Sequence, residues 1–244
     1  MKIRSIKINM NGFEFPFSFR GDSVGDKGVI HQIFVNDDYG ISQWEQGKRL
    51  FEYYERQSKI KPALIVDAGA NIGASAVYFA KNYPNSQIFA IEPDFANWNL
   101  LSINTSGCNC YNFNGAVADK DGELRFLDPG RSDWGFMTAP IDVDDSRSVT
   151  KINSISPLKI MNHPVAKNTF PLIFKIDIEG GEDALFRGDV SWLRAFPLVI
   201  IELHDWMLPF SGSSRNFIKA ISQYDFDIIH KGENIFLFNG EILN

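Results

Sequence analysis

The sequence has few cysteines and no excess of basic residues. Its 244 residues include two cysteines, Cys108 and Cys110, whose spacing suits neither a C-x-x-C metal site nor a disulfide framework. Such sparse use of cysteine is typical of a reducing compartment, so we expect a cytoplasmic protein. The net charge of -6 at pH 7 disfavours a nucleic acid partner, because polyanions bind to clustered basic side chains.

Long hydrophobic stretches are also missing. No run reaches the roughly 18 apolar residues that a membrane-spanning helix requires, so we expect no membrane span. The opening residues MKIRSIK are followed by polar residues 9–12 instead of an apolar core, so we expect no signal peptide. A hydrophobic content of 44% and a charged content of 22% are typical of a globular domain.

One stretch, ALIVDAGANIG at residues 63–73, organises the rest of the chain. Its apolar start predicts a strand that is buried on both faces of a parallel sheet. Asp67 ends this strand, and Gly69 and Gly73 enclose a tight turn where a ligand can approach the backbone. A helix is predicted over residues 74–82, because Pro84 follows an amphipathic pattern there.

Glu92 closes a second apolar run at residues 88–91. In nucleotide-binding βαβ units an acid at this position accepts hydrogen bonds from ribose hydroxyls. A dinucleotide site requires G-x-G-x-x-G, whereas this chain has D-x-G-x-x-x-G and lacks one glycine. Asp67, the acidic residue at the head of this turn, repels a pyrophosphate but suits the ammonium and sulfonium groups of S-adenosylmethionine. A nicotinamide-dependent oxidoreductase and a catalytically silent nucleotide-binding module stay as alternatives.

The remaining patterns predict an α/β protein with a doubly wound, mostly parallel sheet. Residues 1–60 predict a cap packed on that sheet, with a hairpin turning at Asn11 and Gly12, a polar loop over 21–28 and a helix over 42–57. Residues 61–244 form the cofactor-binding domain. Its later strands are predicted at 110–118, 123–127 (as a hairpin excursion), 172–177, 197–202, 224–229 and 235–238. Residues 128–168 show weak periodicity, and we interpret them as a variable segment on the substrate side.

Six ionisable side chains follow the predicted strands at one edge of the sheet, where open α/β sheets bind ligands. They are Asp67, Glu92, Asp177, Glu179, Glu202 and His204. Packing does not explain an acid at the end of the strand that carries Asp177, so Asp177 and His204 are the leading candidates for chemistry. Glu182 and Asp183 are interpreted as ordinary residues of a helix start. His31 is a further candidate for the pocket.

Four motifs together resemble the FkbM family of S-adenosylmethionine-dependent methyltransferases. They are VDAGANIG (66–73), IEP (91–93), NGAV (114–117) and KIDIEGGE (175–182). The resemblance covers residues 61–205 and implies a Rossmann-like, seven-stranded class I methyltransferase sheet whose last strand is antiparallel. It also implies methyl transfer to a hydroxyl oxygen of a small molecule or sugar. The implied cofactor contacts are Asp67, Gly69, Ala70, Asn71, Gly73, Glu92, Pro93, Asn114, Ala116, Val117 and Asp177.

The acceptor hydroxyl must lose a proton as it attacks, and His204 is the favoured base because imidazole titrates near neutrality. Asp177 or Glu179 would orient that ring or bind the methionine ammonium. A metal is the rival hypothesis, since Asp177, Glu179, Glu202 and His204 could together hold a hard cation. The acids show no recognisable metal spacing, so we favour a metal-free site. The expected partner is a small-molecule or carbohydrate acceptor, and self-association into a homo-oligomer stays open.

Overall fold

A computed structural model describes residues 2–127, 137–139, 148–206 and 209–244. The strands are β1 (Ile3–Met10), β2 (Phe13–Arg20), β3 (Ala63–Ala68), β4 (Ser86–Glu92), β5 (Cys110–Asn114), β6 (Ala116–Val117), β7 (Gly122–Leu127), β8 (Met137–Ala139), β9 (Ser148–Ile155), β10 (Phe170–Ile176), β11 (Leu198–Glu202), β12 (Phe226–Lys231) and β13 (Asn234–Asn239). The α-helices are α1 (Val24–Phe34), α2 (Glu45–Ser58), α3 (Ala74–Asn82), α4 (Phe95–Asn104), α5 (Pro157–Met161), α6 (Glu182–Leu185), α7 (Arg215–Ile221) and α8 (Gly240–Leu243). Within these described ranges, no helix is both long enough and apolar enough to cross a membrane.

The central sheet has seven strands in the order β12-β13-β11-β10-β3-β4-β5. Strands β11, β10, β3, β4 and β5 run parallel, whereas β13 is antiparallel to both of its neighbours. This arrangement confirms the predicted doubly wound sheet with an antiparallel last strand. The chain leaves β3 towards one edge of the sheet and leaves β10 towards the other, so the strand order reverses between these two strands. Ligands bind at such a point in open α/β sheets.

Strand β3 forms the centre of the core because each of its residues is buried. Ala63 and Ile65 pack into the apolar cluster on one face of the sheet, and Leu64 and Val66 pack into the cluster on the other face. This alternation follows from the two-residue period of a strand. Burial of each larger side chain contributes about 1.5–3 kcal/mol, so the strand that carries the glycine turn is firmly fixed.

Apolar side chains from residues 1–60 pack on this core. The β1–β2 hairpin turns at Asn11 and Gly12, which have φ angles of 54° and 79°. Phe17 of the cap belongs to the same apolar cluster as β3. Arg20 donates a hydrogen bond of 2.7 Å to the side chain of Asn97 on α4, and this bond joins the cap to a helix that follows the central strand β4.

The expected loop over residues 21–28 is wrong, because helix α1 begins at Val24. The Ser23 side chain accepts a hydrogen bond from the backbone N–H of Asp26, which satisfies one of the unpaired groups at the helix start. Glycines at positions 25 and 28 weaken the helical pattern in the sequence, although packing on the core stabilises the helix. Helix α2 is where the sequence predicts one, and it begins at Glu45.

A second sheet, with the order β6-β9-β7-β8, replaces part of the expected topology. The strand predicted over 110–118 is interrupted at Gly115, where a Cβ atom would lie 2.4 Å from the Asn153 carbonyl oxygen. The predicted hairpin between β6 and β7 is wrong, because β9 lies between these two strands. Strand β9 falls in the segment 128–168, for which the sequence predicts no element. Residues 128–136 and 140–147 of that segment lie outside the described residues.

Candidate active site

A cavity of about 280 Å³ opens at the carboxyl ends of β3, β10 and β11, where the strand order reverses. The expected site residues that line it are Gly69, Ala70, Asn71, Asp177, Glu179 and His204. Helix α1 of the cap contributes Val29, Gln32 and Ile33 to the same wall. These three residues are spaced so that they share one helical face. The sequence predicts no helix there, and His31, the histidine that it offers as a candidate for the pocket, lies on the exposed side of α1.

The turn after β3 depends on left-handed backbone conformations. Gly69 and Gly73 have φ angles of 78° and 91°, and Asn71 between them has a φ of 49°. Glycine adopts such angles without the steric penalty of a Cβ atom, and asparagine tolerates them. Gly73 precedes the first residue of α3, so the turn delivers the start of that helix next to the cavity.

Asp67 is completely buried at the end of β3 and is not among the residues that line the cavity. Its Oδ2 accepts a hydrogen bond of 2.6 Å from Ser75 Oγ, and its Oδ1 lies 3.3 Å from Lys175 Nζ. Lys175 also donates a hydrogen bond of 2.7 Å to the carbonyl oxygen of Gly69 and lies 3.4 Å from Asp177. Asp67 therefore acts on the turn through Lys175, a residue to which the sequence analysis assigned no role.

Glu92 ends β4 with a buried carboxylate. Its Oε2 accepts a hydrogen bond of 2.8 Å from Asn71 N–H, and its Oε1 accepts one of 3.0 Å from Asp94 N–H. Burial raises the pKa of Glu92 to about 7, although these hydrogen bonds favour the ionised form and oppose the shift. Asn71 therefore links Glu92 to the cavity, since Asn71 also lines it.

The other expected cofactor residues gather around Glu92. The Asn114 side-chain amide donates hydrogen bonds of 2.9 Å and 3.2 Å to the carbonyl oxygens of Glu92 and Pro93. Ala116 and Val117 follow in β6, where both are buried. Asn114 thus fixes the end of β5 to the end of β4, next to the place expected for the adenosine.

The acid–histidine cluster, which we define as Asp177, Glu179, Glu202 and His204, forms the other wall of the cavity. Nε2 of His204 lies 3.4 Å from Glu202 Oε1 and 3.7 Å from both Asp177 Oδ1 and Glu179 Oε2. Nδ1 of the same ring donates a hydrogen bond of 2.7 Å to Glu182 Oε1. Four carboxylates thus surround one imidazole at the ends of β10 and β11.

The interpretation of Glu182 as an ordinary residue of a helix start is incomplete. It begins α6, as expected, but its side chain is buried and holds the His204 ring in place. A helix-start pattern gives no sign of this contact, since the partner comes from the end of a later strand.

The carboxylates also control the protonation of the cluster. Burial lowers the pKa of His204, but the hydrogen bond with Glu182, the close approach of Glu202 and the nearby negative charges outweigh burial and raise the pKa to about 11. Burial raises the pKa of Glu179 to about 7, and the charge of Asp177 adds to this shift. With no other cation bound, the imidazole therefore carries a proton at neutral pH.

This sheet order, together with a glycine turn and an acid-lined cavity at the switch point, defines a methyltransferase of the Rossmann-like class I type. The chain belongs to the methyltransferase FkbM domain family, which it matches over residues 67–228. The resemblance that the four motifs indicate is confirmed.

The chain is also similar to individual proteins, among them one sequence relative and two solved structures. Methyltransferase 1 of Beauveria bassiana (strain ARSEF 2860) is 25% identical over an alignment 235 residues long, with coverage of 81% of this chain and 93% of that protein. A methyltransferase from Geobacter sulfurreducens is 17% identical, with a TM-score of 0.40 and coverage of 90% of this chain and 91% of that chain. A putative O-methyltransferase from Klebsiella pneumoniae is 14% identical, with a TM-score of 0.43 and coverage of 91% and 92%.

Proposed function

We propose that this methyltransferase uses S-adenosylmethionine to methylate a hydroxyl group of a small-molecule or carbohydrate acceptor. The acidic cavity beside the glycine turn is the observation that carries the proposal. Asp38 and Glu233 add carboxylates to those of the acid–histidine cluster, and Lys175 is the one lysine or arginine among the described lining residues. Such a cavity favours the ammonium and sulfonium groups of S-adenosylmethionine. It disfavours the pyrophosphate of a nicotinamide dinucleotide, the alternative cofactor.

Glu92 supplies the ribose contact in this proposal. An ionised carboxylate offers about four lone-pair sites. The N–H groups of Asn71 and Asp94 use two of them, and the Asn97 side-chain amide donates a longer hydrogen bond of 3.5 Å. We expect the ribose hydroxyls to donate to the lone pairs that these groups leave open. Binding of those hydroxyls favours the ionised form of Glu92, so ligand binding and deprotonation support each other.

We expect the affinity for S-adenosylhomocysteine to be highest above pH 7 and to fall as the pH is lowered. The pKa of Glu92 is raised to about 7, so its carboxylate becomes protonated below that pH and loses its ability to accept two hydroxyl protons. The fall is limited to about tenfold per pH unit, because a single proton is involved. Calorimetric titrations at pH 6, 7 and 8 measure it.

Two controls isolate the contribution of Glu92. Adenosine carries the ribose but no ammonium group, so it should show the same pH dependence as the full ligand. Glu92→Gln should bind the ligand more weakly at pH 8 and lose most of the dependence on pH. Tight binding of NAD would contradict the choice of cofactor, and a wild-type affinity that does not change with pH would contradict the ribose contact of Glu92.

Methyl transfer to a hydroxyl requires alignment and the loss of one proton. The oxygen lone pair forms the new O–C bond while the electrons of the C–S bond return to sulfur, so the products are a methyl ether, S-adenosylhomocysteine and a proton. Holding oxygen, carbon and sulfur in line can contribute up to about 7–11 kcal/mol. Asp177, Glu179 and His204 line the cavity where the proton leaves, and Glu179 and Asp177 have exposed surface there.

We also propose that the cap forms part of the acceptor pocket, because Gln32 on α1 lines the cavity. Incubation with methyl-tritiated S-adenosylmethionine and a panel of sugars and small alcohols should yield label that resists alkaline hydrolysis, as methyl ethers do. Gln32→Trp should then reduce labelling at least tenfold, since the indole fills the cavity. His31→Trp, on the exposed side of the same helix, is the matched control and should label normally. Equal labelling by both variants would remove α1 from the acceptor pocket.

A further inference from the structure

We propose that the acid–histidine cluster binds a divalent cation, for which Mn²⁺ is well suited. Asp177, Glu179 and His204 each offer one ligand atom, and these atoms all lie within 4.8 Å of one another. Glu202 Oε1 is 3.4 Å from the same imidazole nitrogen and can be a fourth ligand. This inference differs from the metal-free site that the sequence analysis favours.

The orientation of His204 points independently to a cation. The ring is 2% exposed, and its Nδ1 donates a hydrogen bond to the buried carboxylate of Glu182. Metal-binding histidines are commonly held in this way, with one ring nitrogen on a carboxylate and the other on the metal. The second nitrogen, Nε2, faces the carboxylates of the cluster.

The distances around Nε2 fit ligands of a shared ion better than direct hydrogen bonds. The separations of 3.4 Å, 3.7 Å and 3.7 Å from the three carboxylate oxygens exceed the roughly 2.7–3.2 Å of a good N–H···O bond. Ligand atoms bound at about 2.0–2.2 Å from one metal ion lie roughly 3.0–4.3 Å from each other. An ion between these atoms would therefore require small side-chain movements.

The ligand set selects the kind of ion. Carboxylate oxygens suit Mg²⁺, Ca²⁺ and Mn²⁺, whereas imidazole suits later transition metals, so a site with three oxygens and one nitrogen favours Mn²⁺ among the common hard cations. Asp177 and Glu179 each keep 30% of their side-chain surface exposed. That exposure leaves room on the cavity side for another ligand, such as water or an acceptor hydroxyl.

The role of the ion rests on the proposed function, but its binding does not. A bound divalent cation lowers the pKa of a hydroxyl that coordinates to it, which eases loss of the proton during methyl transfer. The ion would also balance part of the negative charge that the cluster carries. Glu182 is a positioning residue in this arrangement, because it acts through His204.

The test is a titration of the full-length, chelator-treated protein with MnCl₂ in the absence of any cofactor. Calorimetry and the loss of the free Mn²⁺ paramagnetic resonance signal should both show one ion per chain. Asp177→Asn and Glu202→Gln should weaken binding at least tenfold, and Glu182→Gln should weaken it about 10–100-fold. Glu52→Gln removes an exposed carboxylate on α2, outside the cavity, and it should bind Mn²⁺ like the parent.

A spectroscopic readout identifies the nitrogen ligand. Bound Mn²⁺ should show electron spin echo modulation from a ¹⁴N nucleus, and His204→Gln should abolish it. The proposal is overturned if the parent binds no Mn²⁺, or if folded Asp177→Asn and Glu202→Gln variants bind it normally. The titrations with cofactor are carried out in separate experiments. A protein that binds S-adenosylhomocysteine but no Mn²⁺ would therefore refute the proposed metal site and leave the proposed function standing. Mn²⁺ binding without cofactor binding would instead refute the proposed function.

Discussion

Replacing Lys175 with methionine is expected to lower the free energy of unfolding by about 3–5 kcal/mol, because it leaves a buried carboxylate without its cation. The Lys175 side chain is 2% exposed and lies 3.3 Å from Asp67, which is 0% exposed. Burial alone would lower the pKa of Lys175, but its interactions with Tyr39, Asp67 and Asp177 outweigh burial and raise it. The charged form of Lys175 is therefore favoured beside Asp67.

Urea denaturation of matched variants measures this effect. Lys61→Met removes an exposed lysine and should change the free energy of unfolding by less than about 0.5 kcal/mol. Adding Asp67→Asn to Lys175→Met removes the stranded charge, so the double variant should recover part of the loss. A loss below about 1 kcal/mol for Lys175→Met would show that Asp67 is neutral or reached by water in the folded protein.

Lys175 also links the stability of the protein to the position of the glycine turn after β3. Its Nζ donates a hydrogen bond to the carbonyl oxygen of Gly69 and lies 3.4 Å from Asp177, which follows the neighbouring strand β10. One side chain thus fixes the backbone of the glycine turn relative to the acid–histidine cluster. The variant should therefore lose cofactor affinity as well as stability, even under conditions where it remains folded.

Local sequence patterns predict the parts of the fold that depend on local physics. The uninterrupted apolar residues of β3 require burial on both faces, and the Asn11–Gly12 pair favours a tight hairpin turn. The resemblance of the four motifs adds the order of the strands and the antiparallel last strand. The edge of the sheet that carries the ionisable side chains follows from these two sources together.

Contacts between distant parts of the chain explain what the sequence does not predict. Lys175 and Glu182 resemble ordinary surface residues locally, but their partners come from β3 and from the end of β11. The glycines of α1 weaken the helical pattern in its sequence, and packing stabilises this helix more than intrinsic propensity does. Strand β9 pairs with two segments that precede it by many residues, and its own pattern does not specify those partners.

Gly69 is the position where a single methyl group should have the clearest effect on the site. A Cβ atom at Gly69 would lie 1.7 Å from the carbonyl oxygen of Asp177, and the φ angle of +78° already disfavours any other residue. Left-handed backbone costs a non-glycine residue about 1–2 kcal/mol, and overpacking adds about 1–3 kcal/mol. We therefore expect Gly69→Ala to lower the free energy of unfolding by roughly 2–5 kcal/mol.

Gly12→Ala separates the backbone penalty from the clash. Gly12 has a φ angle of +79°, and a Cβ atom there would meet none of the described atoms within 4 Å. This control should lose only about 1–2 kcal/mol and should bind S-adenosylhomocysteine normally, because the hairpin turn is remote from the cavity. Gly69→Ala must push the turn away from the end of β10, so its affinity should fall at least about a hundredfold, equivalent to about 2.7 kcal/mol. Similar losses of stability and affinity in both variants would show that the close approach of Gly69 to Asp177 does not define the site.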